Sequence, residues 1–248
     1  MVRHWRRSVQ VIATIGLLSA WCFKTFTILA FMKLQTTAYS SYINNVPADG
    51  QIILAQQTEK SIVVYQAYNH AIADYAIRNR HFGGDAFSYN RMSWIKPNFL
   101  WMMYRCGWAS KQNQERVLAI TISKRNFDMI LNEAVYSNFN ADVYTNHEIW
   151  KKELAEKDVR LQWDPDHDIY GNKENRRAIQ LGMKGQILEQ FGREMIEEIE
   201  DVTEFVKLQK QLIDLNNIDE LEVAAETIYI PESKALNIKL GILNEADD

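Results

Sequence analysis

The residues best suited to holding a ligand lie in one block, Arg91-Met92-Ser93-Trp94-Ile95-Lys96-Pro97-Asn98-Phe99-Leu100-Trp101-Met102-Met103-Tyr104-Arg105-Cys106-Gly107-Trp108, which contains three of the seven tryptophans. On a helix starting near Pro97, Trp101, Tyr104, Arg105 and Trp108 share one face through three- and four-residue spacing, with Leu100 and Met103 toward another. Flat rings stack a nucleobase or a nicotinamide, and a guanidinium pairs with phosphate through its fork of donors. Lys96, Arg91 and Arg105 cluster around the rings with no acid between them. The plainer account is a buried aromatic core with Arg105 reaching out at its edge.

Three shorter constellations flank this block. Val64-Tyr65-Gln66-Ala67-Tyr68 ends an extended run, where alternation turns Tyr65 to one side and Gln66 to the other. Gln66 brings a donor and an acceptor, and the tyrosines bring ring faces with hydroxyl tips, or else simply pack. Gln112-Asn113-Gln114-Glu115-Arg116 is a polar approach to the next apolar run; Glu115, the only acid between Asp85 and Asp128, either meets a ligand or pairs with Arg105 or Arg116. Gln162-Trp163-Asp164-Pro165 goes with Arg176-Arg177-Ala178-Ile179-Gln180-Leu181-Gly182, where alternation separates Arg177, Ile179 and Leu181 from Ala178 and Gln180. A glutamine inside an apolar strand needs hydrogen-bond partners, so Gln180 is either a network element or a substrate contact.

Standard catalytic signatures are absent. There is no GxxxxGK followed by Ser or Thr, no GxGxxG and no GxSxG, and His147-Glu148 lacks a second His four residues after the first. Two cysteines, Cys22 and Cys106, exclude a disulfide scaffold and a four-thiolate zinc site. His167 stands among Asp164, Asp166 and Asp168, but a solvated Asp-rich turn around Pro165 accounts for that composition, and no metal is expected.

These residues need a frame, and the pattern from residue 51 onward predicts alternating strands and helices. Gln51 to Ala55 and Ser61 to Gln66 read as a hairpin, His70 to Phe82 as a helix stopped by Gly83-Gly84, and Phe99 to Cys106 as a helix stopped by Gly107. Arg116 to Ile122 is the best strand. Asn126 to Val135 and His147 to Glu156 read as helices, Val159 to Trp163 and Arg177 to Met183 as strands, and Gln186 to Leu215 as one long acidic helix with a break near Gly192. The expected fold is α+β, a single compact domain with a small central, mostly antiparallel sheet flanked by helices.

Apolar residues at 47% and charged ones at 24% suit a globular chain and exclude collagen-like and wholly disordered classes. The net charge of -4 hides a partition. Residues 1–31 carry Arg3, Arg6, Arg7 and Lys24 with no acid, whereas 186–248 hold 5 basic and 16 acidic side chains. Within 78–125 nine Lys or Arg face only Asp85 and Glu115, a block that attracts a nucleotide or a nucleic acid. The expected layout is an apolar N-terminal extension (1–31), a linker (32–50), the main domain (51–206) and a mobile acidic tail (207–248) that competes for the basic block and whose loss spares the fold. Residues 1–31 read either as a signal or membrane anchor, with Lys24 against it, or as a stretch upstream of a true start at Met32. The first reading implies a membrane-anchored or secretory protein, the second a cytoplasmic one.

The blocks VYQAY (64–68), MSWIKPNFLWMMYRCGWASK (92–111), QERVLAI (114–120), QWDP (162–165) and RAIQLG (177–182) closely resemble the domain of unknown function 4291 family over about 52–206. A weaker similarity is to the ADP-ribosyltransferase superfamily, particularly its members acting on nucleic acid. That similarity implies a matching arrangement of strands and helices, with VYQAY, the His70–Phe82 helix, MSWIKPNFLWMMYR, RVLAITI and RRAIQLG in the superfamily's roles. Gln180 then stands where an acid is expected and Gln66 where His or Arg is usual. The resemblance implies NAD as cofactor, with Tyr65, Lys96, Trp101, Tyr104, Arg105 and Arg177 around it, and Gln180, Glu115 and Gln66 as the groups acting on the ribose centre. The alternatives are a non-catalytic nucleotide or nucleic-acid binding module and a structural interaction protein with the Trp cluster buried.

Overall fold

Side-chain caps and left-handed turns decide where the elements begin and end. The computed structural model describes residues 33–242. Strand β1 (Thr36–Ala38) leads into helix α1 (Tyr39–Asn45), β2 (Ile53–Ala55) and β3 (Ser61–Tyr68). The Asn69 side chain accepts from the Ile72 amide and starts α2 (His70–Asn79), which ends at Arg80 in the left-handed region at φ 59°, short of Gly83-Gly84. After β4 (Ser93–Ile95), Asn98 caps α3 (Phe99–Cys106) by accepting from Trp101 N at 2.6 Å, and the expected Gly107, at φ 59°, closes it. Pro97 precedes this cap and stands outside the first turn.

The apolar run Arg116–Ser123 is β5, and Ser123 caps α4 (Lys124–Glu133), which passes into β6 (Ala134–Tyr136). Next come α5 (His147–Glu156), β7 (Val159–His167) and β8 (Lys173–Met183). The chain continues through α6 (Gly185–Gln190), a π turn (Phe191–Met195), β9 (Ile196–Asp201), α7 (Thr203–Asp214), β10 (Glu222–Ala224), β11 (Thr227–Tyr229) and α8 (Lys234–Leu240).

The fold class is α+β, and the described residues from Leu34 onward form one compact unit. Its strands are divided where one central sheet was expected. One sheet runs β3-β5-β9 and another β4-β8-β7-β6, in which β6 and β7 are parallel. A single bridge joins them: Tyr65 N donates to Lys96 O at 2.7 Å and Lys96 N to Tyr65 O at 3.2 Å. Val64, Ile95, Leu118, Ile120, Ile179 and Leu181 form the main core with Ala73 and Ala76 of α2 and Phe127, Ile130 and Leu131 of α4. Helix α3 lies against Tyr65, whose ring meets Phe99 edge-on at 5.5 Å.

Several expectations are corrected by this packing. The opening hairpin keeps its turn, with Val63 N donating to Gln56 O, but β2 pairs with β11. The 186–215 run is not one helix, because Ile196–Asp201 lies along β5 as β9, with Ile196 opposite Ile122 and Ile199 opposite Ile120 across a register shift. The 164–168 stretch continues β7 through an irregularity after Pro165, and the turn falls at 168–172 around the Asp168 carboxylate, which accepts from Tyr170 N and Asn172 N.

The described residues of the supposed linker and tail, 33–50 and 207–242, are also folded. Thr36, Thr37 and Ala38 pair with Ala224, Val223 and Glu222, and Leu212, Leu221, Val223, Tyr229, Leu236 and Leu240 are buried. Charge counting over 207–248 missed this because, among the described residues, Asp214, Asp219, Glu220 and Glu232 are exposed while Leu212, Leu221, Val223 and Tyr229 turn inward. Among the described residues no helix is long and apolar enough to cross a membrane; the 1–31 segment lies outside the described residues.

Candidate functional site

The split between the two sheets makes a cleft of about 580 Å³. Beyond the Tyr65–Lys96 bridge, β3 and β4 exchange no further backbone bonds, and side chains span the gap. The Gln66 Nε2 donates to Ser93 Oγ at 2.9 Å and to the Trp94 carbonyl at 3.4 Å, while Tyr68 shares a short hydrogen bond with the same Ser93 hydroxyl. Burial raises the Tyr68 phenol, so it stays neutral and serves as a hydrogen-bonding group. Gln66 is 2% exposed, and its Oε1 is buried with no partner. A buried acceptor left open is costly unless a ligand or water completes it.

Three cations line the same cleft. Arg91 comes from the loop before β4, Arg105 from the last turn of α3, and Lys96 from the residue after β4. Lys96 is 5% exposed, and its ammonium makes no hydrogen bond or ion pair among the described residues. Burial, reinforced by the Arg105 charge, lowers its pKa to about 7, with Cys106 and Asp164 pulling the other way. Tyr68, Phe87 and Trp94 supply aromatic surface, and among the described residues no Asp or Glu lines the cleft.

Of the residues predicted from sequence, the cleft brings together Gln66, Lys96 and Arg105. Tyr65 and Gln66 do face opposite sides, and Tyr65 is fully enclosed against Phe99, out of a ligand's reach. The expected shared face of α3 divides into two ridges. Trp101 and Tyr104 stack on His167, with the Tyr104 and His167 ring centroids 3.5 Å apart, while Met102 and Arg105 line the cleft. Trp108 packs edge-on against Phe99.

Glu115 pairs with neither Arg105 nor Arg116. Its Oε1 accepts from Asn113 N at 2.7 Å, and Arg116 is held by Asp74 and Asp201. Arg177 is exposed and donates to the Trp163 carbonyl. Gln180 is a network element, its Nε2 donating to Gln162 Oε1 and Asp164 Oδ2, both at 2.7 Å. It remains close to the site: the β4–β8 register, extended by one residue, sets Lys96 opposite Gln180, which in turn faces Gln162. Among the described residues no three His, Cys, Asp or Glu side chains gather to hold a metal ion.

Sequence reasoning missed two things. Ser93 links Gln66 to Tyr68, a role hinted at only by the i, i+2 spacing of those two on one strand face. Glu226 seats α3: its carboxyl group accepts from Phe99 N at 2.5 Å, Asn98 Nδ2 at 3.1 Å and the Tyr42 hydroxyl at 3.0 Å. Lying 127 residues from Phe99, it carries no local signal.

Gly182 offers a direct test of the cleft wall. A Cβ there would approach the Trp94 ring to 2.7 Å and Met92 Sδ to 2.8 Å, and both residues line the cleft. Gly182→Ala is expected to cost about 1–3 kcal/mol of stability through overpacking. It should also change ligand affinity, which a thermal melt paired with a binding titration would register. An unchanged melt with unchanged affinity would show that Trp94 moves aside freely.

A family model described as "Domain of unknown function (DUF4291)" matches residues 52–233. The match extends beyond 206 through β10 and β11, in keeping with their place in the core. No curated protein matches the chain.

Proposed function

The chain belongs to the DUF4291 family, and from that premise we propose that its cleft binds a phosphate-bearing nucleotide, NAD first among them, and uses it for ADP-ribosyl transfer. The observation that carries this reading is the pairing of three cations with no lining carboxylate, the innermost of them, Lys96, buried without a partner. An anion supplies what that arrangement lacks, and the guanidinium groups of Arg91 and Arg105 suit a pyrophosphate. Trp94 or Phe87 offers a surface for the nicotinamide or adenine.

Transfer breaks the bond between nicotinamide and ribose through an oxocarbenium-like centre. Gln66 lines the cleft, and its unpartnered but enclosed Oε1 becomes the group suited to a ribose hydroxyl or to that positive centre once the side chain turns toward the ligand. Gln180 supports Lys96 from behind, through Asp164. A second reading, the nucleic-acid module, draws on the exposure of Arg91 and Arg105. The free charge of the 78–125 block is smaller than its count, since Arg116 is paired with Asp74 and Asp201.

Arg105→Ala is expected to weaken NAD binding by about 1.5–3 kcal/mol, the worth of a charge-assisted contact. Gln66→Ala should lower nicotinamide release more than it lowers affinity. Calorimetry with NAD and a nicotinamide-release assay, with RNA and DNA oligonucleotides present as acceptors, test both. Undetectable NAD binding by the folded protein overturns the transferase reading, and salt-dependent oligonucleotide binding without NAD establishes the module instead.

A further inference from the structure

Lys96 has a second chemical capacity that nucleotide binding does not use. A lysine removed from water must find a counter-charge, lie beside an anion, or give up its proton. Lys96 has no acidic bonding partner, lies 5% exposed on a ligand-sized cleft, and has a fixed cation, Arg105, as its charged neighbour there. A neutral amine in such a place carries a free lone pair. Desolvation and an adjacent cation are the two devices by which an amine is made nucleophilic at neutral pH.

We infer that Lys96 is a covalent amine nucleophile that captures an aldehyde carried on a phosphate ester, with Arg105 and Arg91 receiving the phosphate. In the reaction the Nζ lone pair attacks the carbonyl carbon, forming the C–N bond while the carbonyl oxygen takes up a proton. The resulting carbinolamine loses its hydroxyl as water, a proton leaves the nitrogen, and a C=N bond remains. Atoms balance as amine plus aldehyde giving imine plus water, with no oxidant or reductant, and hydrolysis reverses it.

The groups facing Lys96 support the same assignment. From α3 come Arg105 and Cys106, and from β7 comes Asp164, which is also engaged by Gln180. Burial and Arg105 together outweigh Asp164 and Cys106 and set the Lys96 pKa at about 7, against about 10.4 for an ordinary lysine. Near pH 7 Lys96 therefore has a deprotonated fraction far above that of an ordinary solvated lysine.

This inference shares the cleft with the nucleotide reading but does not depend on it, so NAD affinity and imine formation can fail separately. The probe is pyridoxal 5′-phosphate on the full-length protein, followed by borohydride reduction and peptide mapping, with phosphate-free pyridoxal as a parallel arm. One adduct per chain is expected, on Lys96, with a rate half-maximal near pH 7 and at least tenfold faster with the phosphate than without. Arg105→Ala should slow it about tenfold. Lys96→Arg should abolish it while leaving the circular dichroism unchanged. Because the mapping is done on wild type, the result stands even if that variant misfolds. Label spread over exposed lysines with none on Lys96 overturns the inference, and equal rates with the two aldehydes remove the phosphate from it.

Discussion

Removing residues 207–248 is expected to unfold the protein. The deletion takes away the last part of α7, the partners of β1 and β2, and the buried side chains of Leu212, Leu221, Val223, Tyr229, Leu236 and Leu240. Each such side chain contributes about 1.5–3 kcal/mol by burial. Together they match the entire net stability of a typical domain, about 5–15 kcal/mol. The Leu240 carbonyl is also the acceptor for Tyr136 Oη, Trp163 Nε1 and Gln51 Nε2, three donors stranded by the cut. Near-UV circular dichroism and a thermal scan of the truncated chain are the measurements. A cooperative transition at the wild-type midpoint would restore the picture of a dispensable acidic tail.

Glu226→Ala should cost about 3 kcal/mol or more. It leaves Phe99 N and the Tyr42 hydroxyl without their acceptor in the interior and Asn98 Nδ2 with only the Tyr42 oxygen at 3.4 Å, and each unsatisfied group costs about 1–3 kcal/mol. The same carboxyl makes stability depend on pH. Burial raises its pKa from 4.5 to about 8, opposed by the hydrogen bonds from Phe99 and Tyr42, while nearby Asp166 raises it further and Arg176 lowers it. Between those values the folded protein holds a proton that the unfolded chain releases. Stability therefore falls as pH rises from about 4.5 through about 8, by up to about 1.4 kcal/mol per pH unit. Glu226→Gln should flatten that slope, as urea midpoints at pH 6 and pH 8.5 would show. Parallel slopes for wild type and Glu226→Gln would mean that Glu226 is ionised throughout.

Elements with a local signature were legible in the sequence, and those made by distant partners were not. The β-branched run 116–123 and the Gly107 stop of α3 rest on alternation and capping, which neighbouring residues decide. The 10-residue helix 147–156 has the same boundaries in sequence and structure. By contrast, Ile196–Asp201 has helical company on both sides and becomes a strand only because β5 offers it an edge. At the site, Gln66, Lys96 and Arg105 could be named from chemistry alone, since a polar or cationic residue in an apolar block demands an explanation. The α3 face could not be assigned as well: helical spacing groups Trp101 with Arg105, but only His167, from β7, decides which ridge turns away from the cleft.

The pairing of Thr36 with Ala224 and of Leu54 with Ile228 sets the order in which this protein can be completed during synthesis. At about 5–20 residues per second, a ribosome needs roughly 10–40 s to travel from β1 to β10. Through that interval the nascent chain carries two strands with open edges and an α3 whose Phe99 amide lacks the Glu226 carboxyl. Contacts so far apart in sequence also slow the final collapse, because the loop entropy is lost before the contacts reward it. Folding is therefore completed only after most of the chain has been made.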